Sequence, residues 1–348
     1  MYNLWNNKAP FPAIEETKEI KNIEHITVHT AIKGEYQFLL GSAIIKHKGT
    51  FYSSWGNSLR QENDNNTILA EKRSYDNGKT WTAYSKISHA DKGYGRSHGV
   101  YFEYNEKLYA FCPKAKFEKI DAYPDLKTEG YLLNERGEWD CIGIVLDDYF
   151  WPMCEPVILD DGTLLMAGLK SDTAEATVAL CDGKDLTRWE MVVIPNPHSY
   201  TYWGETTVLK QNNKIIALVR SDNVAKCILV SESFDNGKTW SGLEESNFPI
   251  SDSKMYGGTL SNGNNYIVFN LKRQKRRETL CIAIGKEQFD TVYVIRHGFD
   301  KPPMYYRDNE WCYPYAYEDK ESNKLYVVYA KNKEDCELSI ISVEELSR

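Results

Sequence analysis

No stretch of this 348-residue chain is apolar for long enough to cross a membrane as a helix. The opening residues, Met1-Tyr2-Asn3-Leu4-Trp5-Asn6-Asn7, hold no basic group and no apolar run, so they do not read as a secretion signal. A cytoplasmic protein is the expectation. No Pro-, Gly- or Ser-rich linker and no low-complexity run divides the chain. The eight cysteines form no CxxC pair and no cluster at metal-ligand spacing. Most lie inside apolar strand patterns, where cysteine behaves as a small buried hydrophobe. Asp, Glu and His show no ligand spacing either, so neither metal nor cofactor is expected. Lys and Arg number 42 against 50 Asp and Glu, a net charge of -8. With a pI near 5.5, a nucleic-acid partner is not expected.

What the chain holds in quantity is aromatic side chains, 13% of residues with 24 Tyr, a composition suited to strands and to carbohydrate surfaces. It also repeats itself. Ser74-Tyr75-Asp76-Asn77-Gly78-Lys79-Thr80-Trp81 returns as Ser233-Phe234-Asp235-Asn236-Gly237-Lys238-Thr239-Trp240. In this fold-back turn, an Asp box, Asp accepts backbone N–H groups, Asn-Gly tolerates positive φ, and Trp packs the turn on the sheet beneath. Two copies about 160 residues apart imply a chain built from repeats. A larger unit of apolar strand, polar turn and apolar strand occurs at residues 41–55, 98–112, 155–169, 205–220, 257–271 and 313–330. Its period is roughly 50–60 residues. After most copies come a third strand, a tight turn and a fourth strand, with those turns at 76–78, 136–137, 182–183, 235–237 and 285–286. Four short strands in each of six repeats predict an all-β fold, a six-bladed β-propeller occupying residues 1–348 as one domain. Strand 25–30 precedes the first blade and is expected to join the last one, which closes the ring and removes an open edge.

Propeller geometry turns the repeat into a map. The innermost strand of each blade comes first, so residues just before it and just after the second strand share one mouth of the central funnel. The Asp-box turns join third and fourth strands and belong to the opposite face, with Trp81 and Trp240 on the outer side of the ring. The residues leading into the inner strands are Leu40-Gly41-Ser42, Arg96-Ser97-His98, Trp151-Pro152-Met153-Cys154-Glu155, Tyr202-Trp203-Gly204-Glu205, Met255-Tyr256-Gly257 and Trp311-Cys312-Tyr313. Those that follow the second strands include Lys114, Lys170, Arg220, Lys272, Arg273 and Lys331. One mouth of an acidic protein thus collects cations, aromatic rings, glutamates and a histidine. That asymmetry points to a small anionic ligand, with rings to stack on a sugar. Arg220 ends the otherwise apolar run Ile215-Ile216-Ala217-Leu218-Val219, where a merely solvated cation has no reason to be.

The segment from Glu205 to Arg220, together with the Asp boxes, resembles the sialidases. In that family a Glu opens the inner strand and acts as base toward a tyrosine nucleophile, and an Arg closing the next strand belongs to a triad that clamps the substrate carboxylate. The resemblance implies these roles for Glu205 and Arg220. Arg276-Arg277 resembles the place of the third triad arginine, with Arg277 the better fit. Tyr313-Pro314-Tyr315-Ala316-Tyr317 resembles the strand that carries the nucleophile, with Tyr313 first and Tyr315 second. Asp64 falls where the family's acid/base aspartate lies. A tyrosinate beside a carboxylate base repels an anionic sugar less than a carboxylate nucleophile would, and arginines hold a carboxylate by paired hydrogen bonds that a lysine cannot form.

One departure is plain. The family begins its first inner strand with an arginine of the triad, and Tyr36-Gln37-Phe38-Leu39-Leu40-Gly41-Ser42 contains none. Arg96 and Arg60 are the candidates to replace it. The resemblance implies an exo-acting sialidase-like glycoside hydrolase on sialic acid or a related acidic sugar. Its expected catalytic residues are Tyr313, Glu205 and Asp64, and its expected binding residues Arg220, Arg277, Arg96, Trp151, Glu155, Trp203 and Tyr256. Two alternatives stay open. Arg96-Ser97-His98-Gly99 resembles propeller families that act on rhamnose–glucuronate linkages by hydrolysis or elimination with a histidine base, here His98. The missing arginine also suits a propeller that binds carbohydrate without turning it over.

Overall fold

The computed structural model describes residues 1–59, 61–117, 123–200, 202–222, 226–271, 277–299, 302–304 and 309–347. Their strands form six sheets, antiparallel throughout except for one short strand of the N-terminal arm. Blade one is Phe38–His47, Thr50–Ser58, Ile68–Ser74 and Ser85–Lys86. In blade two, Gly95–Arg96 and Val100–Tyr104 share the innermost place, followed by Lys107–Ala115, Lys127–Leu133 and Trp139–Leu146. Blade three places Phe150–Pro152 and Val157–Ile158 innermost, then Leu164–Lys170, Glu175–Cys181 and Glu190–Val193. Blade four runs Tyr202–Gln211, Lys214–Ser221, Cys227–Ser233 and Glu244–Pro249, and blade five Tyr256–Thr259, Asn265–Asn270, Thr279–Gly285 and Phe289–His297. Blade six is Trp311–Asp319, Lys324–Lys331 and Asp335–Ser342, completed by Glu24–His29 from near the start of the chain. Each blade packs against the next and the sixth against the first, so the sheets close into a six-bladed ring. All six expected hairpins and the closing strand are present.

Burial explains the sequence pattern. Second and third strands lie between two neighbouring blades and are apolar on both faces, as in the fully buried Thr279–Gly285 and the nearly continuous Leu-Tyr-Val-Val-Tyr-Ala of Lys324–Lys331. Outer strands such as Trp139–Leu146 are partly exposed to water over most of their length. No disulfide joins the eight cysteines, and all but Cys141 are buried. No helix among the described residues is long and apolar enough to cross a membrane.

The two Asp boxes have one geometry. The Ser74 and Ser233 hydroxyls each accept the N–H of the box glycine at 2.9 Å, and Asp76 and Asp235 each accept the N–H of the box threonine at 2.9 Å. Each Trp indole donates back to the glycine carbonyl, at 3.0 and 2.9 Å. Gly78 and Gly237 hold φ of +83° and +81°, which glycine adopts without strain. Each turn presses on the preceding blade, since a Cβ on Gly78 would meet Leu338 and Tyr326, and one on Gly237 would meet Leu165 and Leu180. A third, altered copy closes blade three: the Cys181 sulfur takes the place of the serine hydroxyl in accepting Gly183 N–H, and the Trp189 indole donates to the Leu186 carbonyl at 2.9 Å.

The N-terminal arm has no counterpart in the repeat. Lys18–Glu19 pairs parallel to the outer strand of blade five, while Tyr2 bridges to Ser246 of blade four and Trp5 to Phe289 of blade five. Leu4 and Trp5 are buried with Phe248, Phe269 and Phe289.

Candidate active site

Three inner strands change register where they reach the funnel mouth: between Leu40 and Ser42 in blade one, Tyr202 and Thr206 in blade four, and Cys312 and Tyr315 in blade six. Such bulges re-aim a side chain relative to the pleat. At the third sits Tyr313 with φ of +52°, a left-handed conformation that costs a bulky residue of order 1–3 kcal/mol and clusters at functional sites. Its ring is 6% exposed and ringed by cations. The Arg277 guanidinium lies 5.9 Å and the Lys333 ammonium 5.7 Å from its centre. Burial raises the Tyr313 phenol well above 10, as do Glu205 and Glu62, against the pull of Arg220 and Arg277. Tyr313 is therefore a neutral phenol at rest and needs a base to become a nucleophile.

Glu205 is 2% exposed at the start of its strand, and its Oε2 accepts from Arg220 Nη1 at 2.9 Å. Arg220 Nε donates to Asp222, also at 2.9 Å. Arg277 donates to Glu310 at 3.1 Å and to the Asp252 carbonyl at 2.9 Å, while its buried Nε has no partner among the described residues. Arg220 lies within electrostatic reach of Arg277, and a phenolate at Tyr313 would be felt by both. The two expected arginines, the expected glutamate and the expected tyrosine thus meet in one neighbourhood. The expected hydrogen bond between Tyr313 and Glu205 is absent: among the described residues the Glu205 carboxylate is taken by Arg220, and Tyr313 interacts with it only through charge.

His98 enters from blade two. A Cβ on Gly41 would come within 2.3 Å of its ring, and one on Gly56 within 2.6 Å of its backbone nitrogen, so two glycines of blade one make its seat. The ring packs edge-on to Tyr313 with centres 5.5 Å apart, and lies 5.0 Å from Trp151. Ser97 Oγ donates to Asn63 at 2.5 Å and lies 3.5 Å from His98 Nδ1, which leaves Nε2 buried with no partner among the described residues. Burial, then the charges of Lys254 and Lys333, lower the imidazole to about 3, so it is neutral across physiological pH.

The other expected site residues are placed as follows. Arg96 is committed elsewhere: it grips Glu129 at 2.9 and 3.2 Å and Asp91 at 2.8 and 3.3 Å, and is 3% exposed. Its whole fork is used inside blade two, so it does not stand in for the missing arginine. Arg60, Arg276, Lys272 and Arg273 lie outside the described residues. The loop after blade one's second strand covers the mouth, with Glu62 bonded to Lys333 at 2.8 Å. Within that loop Asp64 accepts the N–H groups of Asn66 at 2.6 Å and Leu59 at 3.3 Å. Trp151 and Tyr256 are buried rather than presented to solvent. Trp151 donates to the His98 carbonyl at 3.0 Å, and Tyr256 to Glu155 at 2.5 Å. Trp203 is partly exposed on the apolar cluster that contains Trp151. The rim is less basic than its lysines suggest, because Lys114 pairs with Glu129 and Asp91, and Lys170 with Asp172 and Asp148. No trio of His, Cys, Asp and Glu among the described residues is gathered to hold a metal ion.

Lys254, Lys333, Glu310 and Glu62 were not foreseen. All lie in mouth loops between strands, outside the periodic part of the repeat. Only their position next to a predicted strand end could have flagged them.

The family profile described as BNR repeat-like domain matches residues 152–327, just over half of the chain. A search of curated protein sequences gives no match. Among solved structures, a Dyadobacter fermentans protein of unknown function superposes with a TM-score of 0.70 at 16% identity, over 91% of this chain and 98% of the other. The intramolecular trans-sialidase of Ruminococcus gnavus, solved with oseltamivir carboxylate, gives 0.70 at 13% identity over 92% and 98%. Trypanosoma rangeli sialidase gives 0.68 at 14% identity, over 94% of this chain but 60% of the other. At these identities the likeness is one of fold, the six-bladed propeller of sialidase type.

Proposed function

This chain belongs to the BNR repeat-like family, and on that premise we propose that it is an exo-acting glycoside hydrolase of sialidase type, acting on sialic acid or a related acidic sugar. The observation that carries the reading is the convergence of Arg220, Arg277 and Glu205 on Tyr313, whose backbone is held at φ +52°. The unpartnered Nε of Arg277 is a donor left for a substrate carboxylate, and an arginine–carboxylate bond is charge-assisted and directional. Glu205 takes the phenolic proton as the Tyr313 oxygen attacks the anomeric carbon. The bond to the aglycone oxygen breaks, and Asp64 protonates that oxygen. Asp64 then removes a proton from water, which attacks the same carbon. Tyr313 leaves and recovers its proton from Glu205. For this, Asp64 must release the backbone groups it now holds.

His98 supports a second reading. Its neutral ring and unpartnered Nε2 beside Tyr313 suit a base acting on a rhamnose–glucuronate linkage, by hydrolysis or elimination. A panel of sialyl and uronyl glycosides tests both. Release of a reducing sugar acid that stops with Tyr313→Phe supports the tyrosine mechanism. An unsaturated product, or activity lost in His98→Ala and only slowed in Tyr313→Phe, supports the histidine. Ligand binding with no turnover of any glycoside leaves a carbohydrate-binding propeller and removes both catalytic assignments.

A further inference from the structure

At the throat of the ring, side chains of three blades meet: Glu155 of blade three, Lys254 and Tyr256 of blade five, and Tyr315 of blade six. Lys254 precedes the inner strand of blade five and is 3% exposed. Among the described residues no carboxylate lies within ion-pair distance of it. Its ammonium donates to the Pro314 carbonyl at 3.3 Å and sits over the rings of Tyr256 and Tyr315, 5.8 and 5.9 Å from their centres. Those rings lie 4.5 Å apart. Tyr256 donates to Oε1 of Glu155, and Tyr315 also acts on that carboxylate, whose Oε2 is buried with no hydrogen bond within 3.5 Å among the described residues. Lys254 acts electrostatically on both Glu155 and His98, and His98 Nε2 likewise has no partner among the described residues.

A buried ammonium with one hydrogen bond and a buried carboxylate oxygen with none are both costly unless something completes them. They are too far apart for an ion pair, yet near enough to influence each other. A group that only accepts would satisfy Lys254 and leave Glu155 bare. A group that only donates would do the reverse. A hydroxyl does both, accepting from an ammonium while donating to a carboxylate. We propose that Lys254 and Glu155 form a throat subsite that binds a ring hydroxyl of the sugar, beside the arginines that take its carboxylate. The proposal rests on the acidic-sugar reading above and adds to it a specificity element. The arginines recognise the acid, and the throat requires that the acid be hydroxylated.

Three probes separate these two elements: free sialic acid, glucuronic acid, and tetrahydropyran-2-carboxylic acid, which keeps the ring and carboxylate and lacks every hydroxyl. Dissociation constants are measured by NMR titration for the parent and for Lys254→Met, Glu155→Gln and Arg220→Lys. Lys254→Met and Glu155→Gln are expected to weaken at least one sugar acid about tenfold and to leave the bare ring acid unchanged. Arg220→Lys is expected to weaken every acid that the parent binds. Glu155→Gln is isosteric and keeps an acceptor for Tyr256, so it reports even where Lys254→Met fails to fold. Equal losses on all three probes would make Lys254 part of the carboxylate clamp and overturn the throat subsite. Unchanged affinities in both throat variants overturn it too, as does a parent that binds neither sugar acid. If Arg220→Lys alone has no effect, the arginine clamp fails while the contrast between hydroxylated and bare acids still decides the throat.

Discussion

In the proposed mechanism the chemistry centres on Tyr313, because its backbone, its cations and its base come from separate strands and turns of blades four, five and six. Tyr313→Phe should abolish turnover and leave the affinity for an acidic sugar within about twofold, because only the proposed nucleophile is lost; single-turnover kinetics alongside calorimetry separate the two. Arg220→Lys keeps the charge and loses the fork that spans Glu205 and Asp222. It should weaken binding of an acidic sugar by about 1–3 kcal/mol, and unchanged affinity would remove Arg220 from the clamp. The histidines carry a separate, testable signature. Burial is the main cause that lowers His29 to about 4 and His98 to about 3. Both stay neutral in the fold where the unfolded chain, with its ordinary value of 6.5, takes up protons. Their contribution is complete above pH 6.5 and is lost as pH falls toward 4 and 3. Between pH 7 and 5 the loss is about 2 kcal/mol per histidine. Urea unfolding at the two pH values checks this, and His29→Gln should flatten the dependence.

Single turns and strands show how the repeat is enforced. Both Asp-box glycines occupy left-handed backbone, so alanine costs about 1 kcal/mol at either. Their surroundings differ. A Cβ at Gly78 would stand 3.2 Å from Leu338, whereas one at Gly237 would stand 2.5 Å from Leu165. Gly237→Ala should therefore lower the unfolding free energy more than Gly78→Ala. Neither should alter ligand binding, because these turns lie on the face opposite the funnel mouth. Equal losses, or a change in affinity, would contradict that placement. At the mouth, the bulges at Leu40–Ser42 and Cys312–Tyr315 do the opposite work, breaking regular pairing to seat His98 and to turn Tyr313 inward.

At the scale of the whole molecule, the ring depends on its first thirty residues. Glu24–His29 supplies the outer strand of blade six, and the arm before it clasps blades four and five through Leu4 and Trp5. We propose that residues 1–348 unfold as one domain. Deleting residues 1–30 exposes the edge of Asp335–Ser342 and should leave a protein that aggregates or shows no cooperative melting transition. Trp5→Ala keeps the ring closed and empties a pocket beside Phe11 and Phe248, which should cost about 3–5 kcal/mol. A truncated chain that melts as the parent does would show that closure adds nothing.

The chain's own pattern determined the blades, because a strand sandwiched between two neighbours must be apolar throughout and a tight turn must be polar or glycine. Those are local demands, and they repeat six times. The pairing of Glu24–His29 with the last blade was legible from its place, as a strand that precedes the first blade and would otherwise leave the ring with an open edge. Arg220, Glu205 and Tyr313 fell on the mouth because each stands beside a strand end, but their expected roles, and Arg277 altogether, came from the resemblance to the sialidases. What only the tertiary structure decided is how charges divide among partners far apart in sequence. Arg96 is spent on Glu129, 33 residues away, and Glu205 is held by Arg220 rather than by Tyr313. Lys254 is buried with no carboxylate at ion-pair distance among the described residues. Ion pairs form wherever the ring brings charges within a few ångströms, and that distance depends on how the blades are arranged around the axis. No periodicity along the chain encodes it.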